Sequence, residues 1–203
     1  MEILFWVLTI LAAYALGNLN GAILISKLIM HDDVRNHGSG NAGLTNYFRT
    51  YGGFQSLLVI AIDVVKCVLS CLIAGWLLPE YGIQSRMVAG GACILGHCFP
   101  AAAGFKGGKG ILCGAAMAAA TDWRVLVIIL GLFILITALT RYVSLASLLA
   151  AVAFSVSYLV FYWGDWLTCA VAVAAAAFVS YRHRQNIVRL LQGTEPKFSF
   201  RKK

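Results

Sequence analysis

Charge is scarce in this sequence. Asp, Glu, Lys and Arg make up 12% of its 203 residues, against about 25% in an ordinary soluble domain. With 61% hydrophobic residues and a mean hydropathy of +0.83, a water-soluble fold is excluded. Several apolar runs instead approach the ~20 residues a helix needs to cross lipid. No flexible linker, shift of composition or period-length repeat divides the chain, so 1–203 is expected to form a single membrane-embedded domain. Paired cysteines are missing too. Cys67, Cys71, Cys93, Cys98, Cys113 and Cys169 contain no Cys-x-x-Cys, and most lie inside apolar runs. That points to small packing residues rather than a metal centre or a disulfide framework. Only Glu2 precedes the first apolar run, with no basic segment, so this run is expected to remain as a span rather than be removed as a leader.

The apolar runs place helices at 3–25, 54–78, 85–99, 111–122, 123–140, 145–163 and 166–181. The expected fold is all-α, a polytopic integral membrane protein of about seven transmembrane helices. The runs 85–99 and 111–122 are short and flank a glycine-rich turn, a pattern that often marks backbone lining a cavity rather than lipid. The basic residues set the orientation. Lys27, Arg35, Arg49, Lys106, Lys109, Arg141 and those from Arg182 onward fall on one side, and only Arg86 and Arg124 on the other. The N-terminus is therefore expected outside and the C-terminus in the cytoplasm. There the basic tail 195–203 and most of the net charge of +8 would meet anionic lipid headgroups.

Familiar catalytic signatures are absent. No His has an Asp five residues on, no Gly-x-Ser-x-Gly elbow occurs, and no His/Cys/carboxylate cluster has metal-ligand spacing. Catalysis must then rest on positioning and electrostatics. What is present lies mostly in loops on the cytoplasmic side. In Gly104-Phe-Lys-Gly-Gly-Lys-Gly110, glycine lets amides turn toward one point as an anion nest. Lys106 and Lys109 add charge, and a helix opening at Ile111 would aim its positive end at Gly107, Gly108 and Gly110. A nucleotide P-loop is excluded: only three residues separate Gly104 from Gly108, and Gly110 stands where Ser or Thr would be needed. A second loop supplies Gly38, Ser39, Gly40, Asn41, Gly43, Thr45 and Asn46, whose hydroxyls and amides among glycines suit a phosphate or polyol. Arg49 adds a planar two-point donor. Asp63 and Lys66, at i and i+3 in the second span, face one side of a helix as a buried ion pair or as a support for the phosphate loops. His183 and Asn186 share the same spacing. A histidine there can serve as a general base, a hydrogen-bond donor or a plain interfacial residue. His97, before Phe99-Pro100, is expected to orient the turn.

Taken together these residues resemble the bacterial acyl-phosphate-dependent glycerol-3-phosphate acyltransferases. The matching motifs are Gly-Ser-Gly-Asn-x-Gly-x-Thr-Asn at 38–46 with Arg49, Asp-Val-x-Lys at 63–66 and Gly-His-x-Phe-Pro at 96–100. Phe-Lys-Gly-Gly-Lys-Gly at 105–110, Tyr-Val-Ser-Leu-Ala-Ser at 142–147, Arg-His-Arg-x-Asn-Ile at 182–187 and Gly-Thr-Glu at 193–195 follow in the family's order. The resemblance implies a seven-helix enzyme of the bacterial cell membrane with a cytoplasm-facing site. It would move a fatty acyl group from acyl-phosphate to the 1-hydroxyl of glycerol 3-phosphate, giving lysophosphatidic acid and phosphate, the first step of phospholipid biosynthesis. It further implies a polar site of Ser39, Asn41, Arg49, Lys109, Ser147, His183 and Asn186, with no cofactor and no metal. The expected partners are the two substrates and membrane lipid, not nucleic acid, with an acyl-phosphate-forming enzyme as a further candidate.

The chain departs from the family pattern in four places. Ala42 stands where Pro is usual, Leu44 where Ala is, Cys67 where Gly follows the Asp-x-x-Lys lysine, and Gly17-Asn-Leu-Asn20 where Gly-Ser-Ile-Pro is usual. A transporter or binding protein for a phosphorylated solute is the competing class. It would want polar residues through the depth of spans five to seven, which hold only scattered hydroxyls such as Thr137 and Ser155.

Overall fold

The computed structural model of the chain describes residues 2–199, so Arg201, Lys202 and Lys203 of the expected basic tail lie outside the described residues. Those described are all-helical: α1 (Glu2–Gly17), α2 (Gly21–Leu28), α3 (Leu44–Thr50), α4 (Gln55–Leu77), α5 (Ile83–Cys98), α6 (Ile111–Thr121), α7 (Trp123–Thr140), α8 (Val143–Phe161), α9 (Trp166–Arg182) and α10 (Arg184–Leu191), with 3-10 turns at Val34–Asn36, Pro79–Tyr81 and Ala101–Ala103. The chain folds as two compact units, one through Thr121 and one from Asp122. Among the described residues α4, α7 and α8 are each long and apolar enough to cross a membrane, and α1 with α2 makes a fourth span if the bent pair counts as one. Helices α6 and α9 are apolar but shorter.

The first unit is built on α4. Its 23 residues rise about 34 Å at 1.5 Å each, enough for the ~30 Å hydrocarbon core. Ser56, Val59, Asp63, Lys66, Cys67, Ser70, Cys71 and Ala74 are buried, a stripe at helical spacing. Leu57, Leu58, Val65, Leu69, Leu72, Ile73 and Trp76 are exposed, as a lipid-facing surface requires. Helix α1 crosses α5 at bare backbone: a β-carbon on Gly17 would lie 2.9 Å from Gly96 Cα, and one on Gly96 3.0 Å from Gly17 Cα. Small residues permit this approach where lipid supplies no hydrophobic drive between helices.

The first span was expected to run unbroken over 3–25. It is instead two helices bent by 42°, and two asparagines account for the break. Asn18 Nδ2 donates to Tyr14 O at 2.7 Å. Asn20, with extended backbone (φ −77°, ψ 114°), accepts from Ile23 N at 3.0 Å and so caps α2.

In the second unit, α7, α8 and α9 pack in sequence. Asp122 caps α7 by accepting from Arg124 N at 2.9 Å, and Asp165 caps α9 through Thr168 N at 3.1 Å. Of α7 only Val125 and Ile129 are buried. Trp123, Trp163 and Trp166 are exposed at the start of α7, the end of α8 and the start of α9, as a belt at a membrane–water boundary would have them. Arg141, in the left-handed region at φ 63°, turns the chain from α7 into α8.

Candidate active site

The site residues of the first unit lie on two loops joined through one buried polar post. In the 29–43 loop the chain wraps around Asn46, which is buried in the first turn of α3. Its Oδ1 accepts from Ser39 N at 3.0 Å, and its Nδ2 donates to Val34 O at 3.0 Å and His37 O at 3.1 Å. The Ser39 and Arg49 side chains are thereby presented on an exposed surface, with Gly40 exposed and Asn41 and Thr45 half-buried. Upstream, the Arg35 guanidinium beside Asp33 holds that carboxyl down at about 2.

The second loop differs from the expected anion nest. Gly107 N donates to Cys98 O and Gly108 N to His97 O, each at 3.1 Å, so these two amides serve the loop itself. Close approach explains the glycines. A β-carbon on Gly108 would overlap the His97 ring and lie 2.8 Å from Ala42 O, and one on Gly107 would lie 2.6 Å from Pro100 Cδ. Positive potential here comes from Lys106, Lys109 and the start of α6 rather than from amides 107 and 108.

The post is Asp63, Lys66, His97 and Asn20, all at most 3% exposed. Lys66 Nζ donates to Asp63 Oδ1 at 2.7 Å, to Leu19 O at 2.9 Å and to Gly17 O at 3.2 Å, and lies 2.9 Å from His97 Nδ1. Asp63 Oδ1 accepts from Gly21 N at 3.1 Å. The lysine thus caps the carbonyl end of α1 while the carboxylate caps the amide end of α2, each charge on the helix end it complements. Asn20 Nδ2 donates to Ala42 O at 3.0 Å, so one asparagine holds both the bend and the first loop. Asp63, His97 and Cys113 present ligand-type atoms within 4.8 Å of one another, but the Lys66 ammonium already supplies the positive charge at the first two.

The second unit carries Ser147, His183 and Asn186, all buried. His183 closes α9 and opens α10, and its Nδ1 donates to Val179 O at 2.8 Å. Ser147 Oγ donates to Val143 O at 2.8 Å, within its own helix. Asn186 Nδ2 donates to Glu195 Oε1 at 2.8 Å, and Arg189 Nε donates to Glu195 Oε2 at 2.7 Å. Sequence reasoning gave no role to Glu195 or Asn20 and grouped Asn46 with the phosphate- or polyol-binding amides, whereas its amide bonds Ser39 N, Val34 O and His37 O of its own loop. The signals were an acid in the Gly-Thr-Glu motif just after a basic helix, and amides standing inside or beside apolar runs.

Burial pushes the Glu195 carboxyl up, but the neighbouring Ser144, Asn186 and Arg189 outweigh it and hold it below the ordinary glutamate value. A lowered folded value makes this stabilisation complete above the unfolded value of about 4.3, and it is lost as pH falls through the folded value. Glu195→Gln keeps one acceptor oxygen but turns an N–H toward a donor. The expected result is a kcat lower by roughly 10- to 100-fold, from a charged hydrogen bond of about 1.5–3 kcal/mol. Acid unfolding below pH ~4 should be shallower than in the parent protein. Steady-state kinetics and acid melts in detergent check both.

The glycerol-3-phosphate acyltransferase family model matches residues 7–193. A glycerol-3-phosphate acyltransferase of Lactiplantibacillus plantarum is 36% identical over 191 residues, covering 93% of this chain and 90% of its own. One from Finegoldia magna is 34% identical over 197 residues, covering 97% and 98%. Among solved structures, PlsY (YgiH), an integral membrane glycerol 3-phosphate acyltransferase, superposes in its glycerol 3-phosphate form with a TM-score of 0.87 at 34% identity, over 96% of each chain. Its lysophosphatidic acid form gives 0.83 at 33% identity, over 96% of this chain and 95% of that one. With the family model, the sequence identity of its relatives and the fold agreeing over nearly the whole length, the chain belongs to the glycerol-3-phosphate acyltransferase family.

Proposed function

We propose that this protein transfers a fatty acyl group from acyl-phosphate to the 1-hydroxyl of glycerol 3-phosphate, releasing phosphate and lysophosphatidic acid. The observation that carries the reading is the pairing of two cation-bearing loops, Ser39–Arg49 and Lys106–Lys109, through one post: Asn20 on Ala42 O and His97 on Gly108 N. Both substrates are phosphorylated, and holding two like-charged groups together requires such a concentration of positive charge. The solved relative in its glycerol 3-phosphate and lysophosphatidic acid forms supports the acceptor and the product.

Acyl-phosphate is a mixed anhydride and already activated, so a covalent enzyme intermediate is unnecessary. In the proposed step the acceptor hydroxyl oxygen attacks the acyl carbon, the bond from that carbon to the phosphate oxygen breaks, and phosphate leaves with the bonding pair. The hydroxyl proton passes to His183 or to the departing phosphate. Arg49 and Lys109 bind glycerol phosphate, with Ser39, Gly40, Asn41, Thr45 and residues 106–110 around the phosphates. His183, Asn186 and Ser147 serve the hydroxyl, and Asp63, Lys66 and His97 support the loops.

The same reading takes 1–203 as one acyltransferase domain with seven spans, the N-terminus outside and the site facing the cytoplasm of a bacterial cell. Polar acceptor would arrive from the cytosol and acyl donor from the bilayer, supplied by an enzyme that forms acyl-phosphate. Purified protein incubated with acyl-phosphate and radiolabelled glycerol 3-phosphate should give labelled lysophosphatidic acid, and acyl-CoA as donor should not. Absence of labelled product with acyl-phosphate would overturn the proposal.

A further inference from the structure

Arg35 lies in the 3-10 turn Val34–Asn36 but reaches out of its own loop. Its Nε donates to Asp33 Oδ1 at 2.9 Å and its Nη2 to Asp33 Oδ2 at 2.6 Å. Nη1 faces away, donating to Ala103 O at 2.7 Å and to Lys106 O at 3.3 Å. Asp33 is itself fixed, because its Oδ1 also accepts from Arg35 N at 3.0 Å and caps the turn. Val34, between them, is fully buried; its N–H donates to Ser26 Oγ at 3.2 Å and its carbonyl accepts from Asn46 Nδ2 at 3.0 Å. The guanidinium is therefore rooted in the same asparagine that fixes Ser39.

Its far partners flank a bend. Gly104 and Phe105 both have left-handed backbone, with φ of 67° and 59°, and a residue with a β-carbon such as Phe105 disfavours that region. Phe105 N donates to Pro100 O at 2.9 Å, and the remaining restraints on the bend include the two carbonyls that Arg35 grips. Only a planar fork can hold a carboxylate at two points and still reach two carbonyls on its other edge; an ammonium cannot.

We propose that Arg35, oriented by Asp33, is a positioning residue: it ties the Lys106–Lys109 loop to the loop bearing Ser39 and Arg49, and so sets the affinity for the polyol phosphate without touching it. The kinetic half of this rests on the acyltransferase reading; the structural half does not.

The test uses full-length protein in detergent with Arg35→Lys, Arg35→Ala, Asp33→Asn and the Asp33→Asn/Arg35→Ala pair. Arg35→Lys and Arg35→Ala should both raise the KM for glycerol 3-phosphate at least about tenfold, as a misplaced binding group does. The melting temperature should stay close to that of the parent. Asp33→Asn should act in the same direction, and the pair should be no worse than Arg35→Ala, since the two act as one unit. Amide exchange at Gly107 and Gly108, measured without substrate, should quicken about tenfold or more in Arg35→Lys as the loop opens locally. If Arg35→Lys keeps the parent KM, the residue acts only as a charge and the proposal fails. Unchanged exchange also defeats it. If the parent protein makes no lysophosphatidic acid, the acyltransferase reading falls, and the exchange rates alone decide whether Arg35 ties the loops.

Discussion

Replacing His183 with alanine is expected to lower kcat about 100-fold or more, within the range a positioned acid or base contributes, with little change in the KM for glycerol 3-phosphate. The imidazole is 4% exposed and sits where α9 ends and α10 begins. Its backbone N–H donates to Ser180 O at 3.0 Å, and its carbonyl accepts from Ile187 N at 2.9 Å, so the ring hangs from a junction fixed on both sides. With Nδ1 donating to Val179 O at 2.8 Å, an uncharged ring carries its lone pair on Nε2, the nitrogen that can receive a hydroxyl hydrogen. The cations proposed to bind phosphate, Arg49 and Lys109, belong to the first unit, which is why binding should survive the loss of this ring while turnover does not. His183→Gln separates the two ways in which the ring can act, because an amide accepts a hydrogen bond but not a proton. Recovery to within about tenfold of the parent assigns the proton to the departing phosphate; a loss as deep as alanine's assigns it to Nε2. Near-normal turnover in His183→Ala would remove the histidine from the mechanism.

The helical segments were legible because hydropathy reports them directly. Each expected apolar run falls on a helix or, for the first, on a helix pair. The break at Asn18–Asn20 was not legible, because two asparagines among apolar neighbours barely change a window average. What ends α1 there is local bonding, namely an amide on Tyr14 O and a cap on Ile23 N. The glycine loop was legible as a special place but not in its mechanism. A positive-φ nest and a tight backbone crossing call for the same residue, and only the bonds to His97 O and Cys98 O distinguish them. Glu195 escaped because its partners lie six and nine residues back, across a helix and a turn. Asp63 and Lys66 show the reverse case. Their i, i+3 spacing announced a pair, while the carbonyls and the amide they also hold belong to residues over 40 positions away.

Those distant bonds decide what a double variant should do. Lys66→Met leaves the Asp63 carboxylate, 1% exposed, without its cation, and breaking a buried pair from one side costs about 3–5 kcal/mol. Asp63→Leu/Lys66→Met removes both charges, and a simple buried pair replaced by apolar residues of similar bulk is often neutral or even stabilising. Here it should not be neutral. The double variant also strips Gly17 O and Leu19 O of their donor and Gly21 N of its acceptor, leaving the ends of α1 and α2 open at a buried bend. Each buried polar group left unsatisfied costs about 1–3 kcal/mol. Lys66→Met strips the same two carbonyls and leaves the carboxylate unpaired as well, so the double variant is expected to melt between Lys66→Met and the parent protein. It should also lose glycerol 3-phosphate binding, because the same bend carries Asn20 and, through it, Ala42 O of the first loop. Thermal melts in detergent and calorimetric titration with glycerol 3-phosphate measure the two effects on one preparation. A double variant as stable as the parent and binding as tightly would mean that the ion pair serves only itself and that the bend in the first span is held elsewhere.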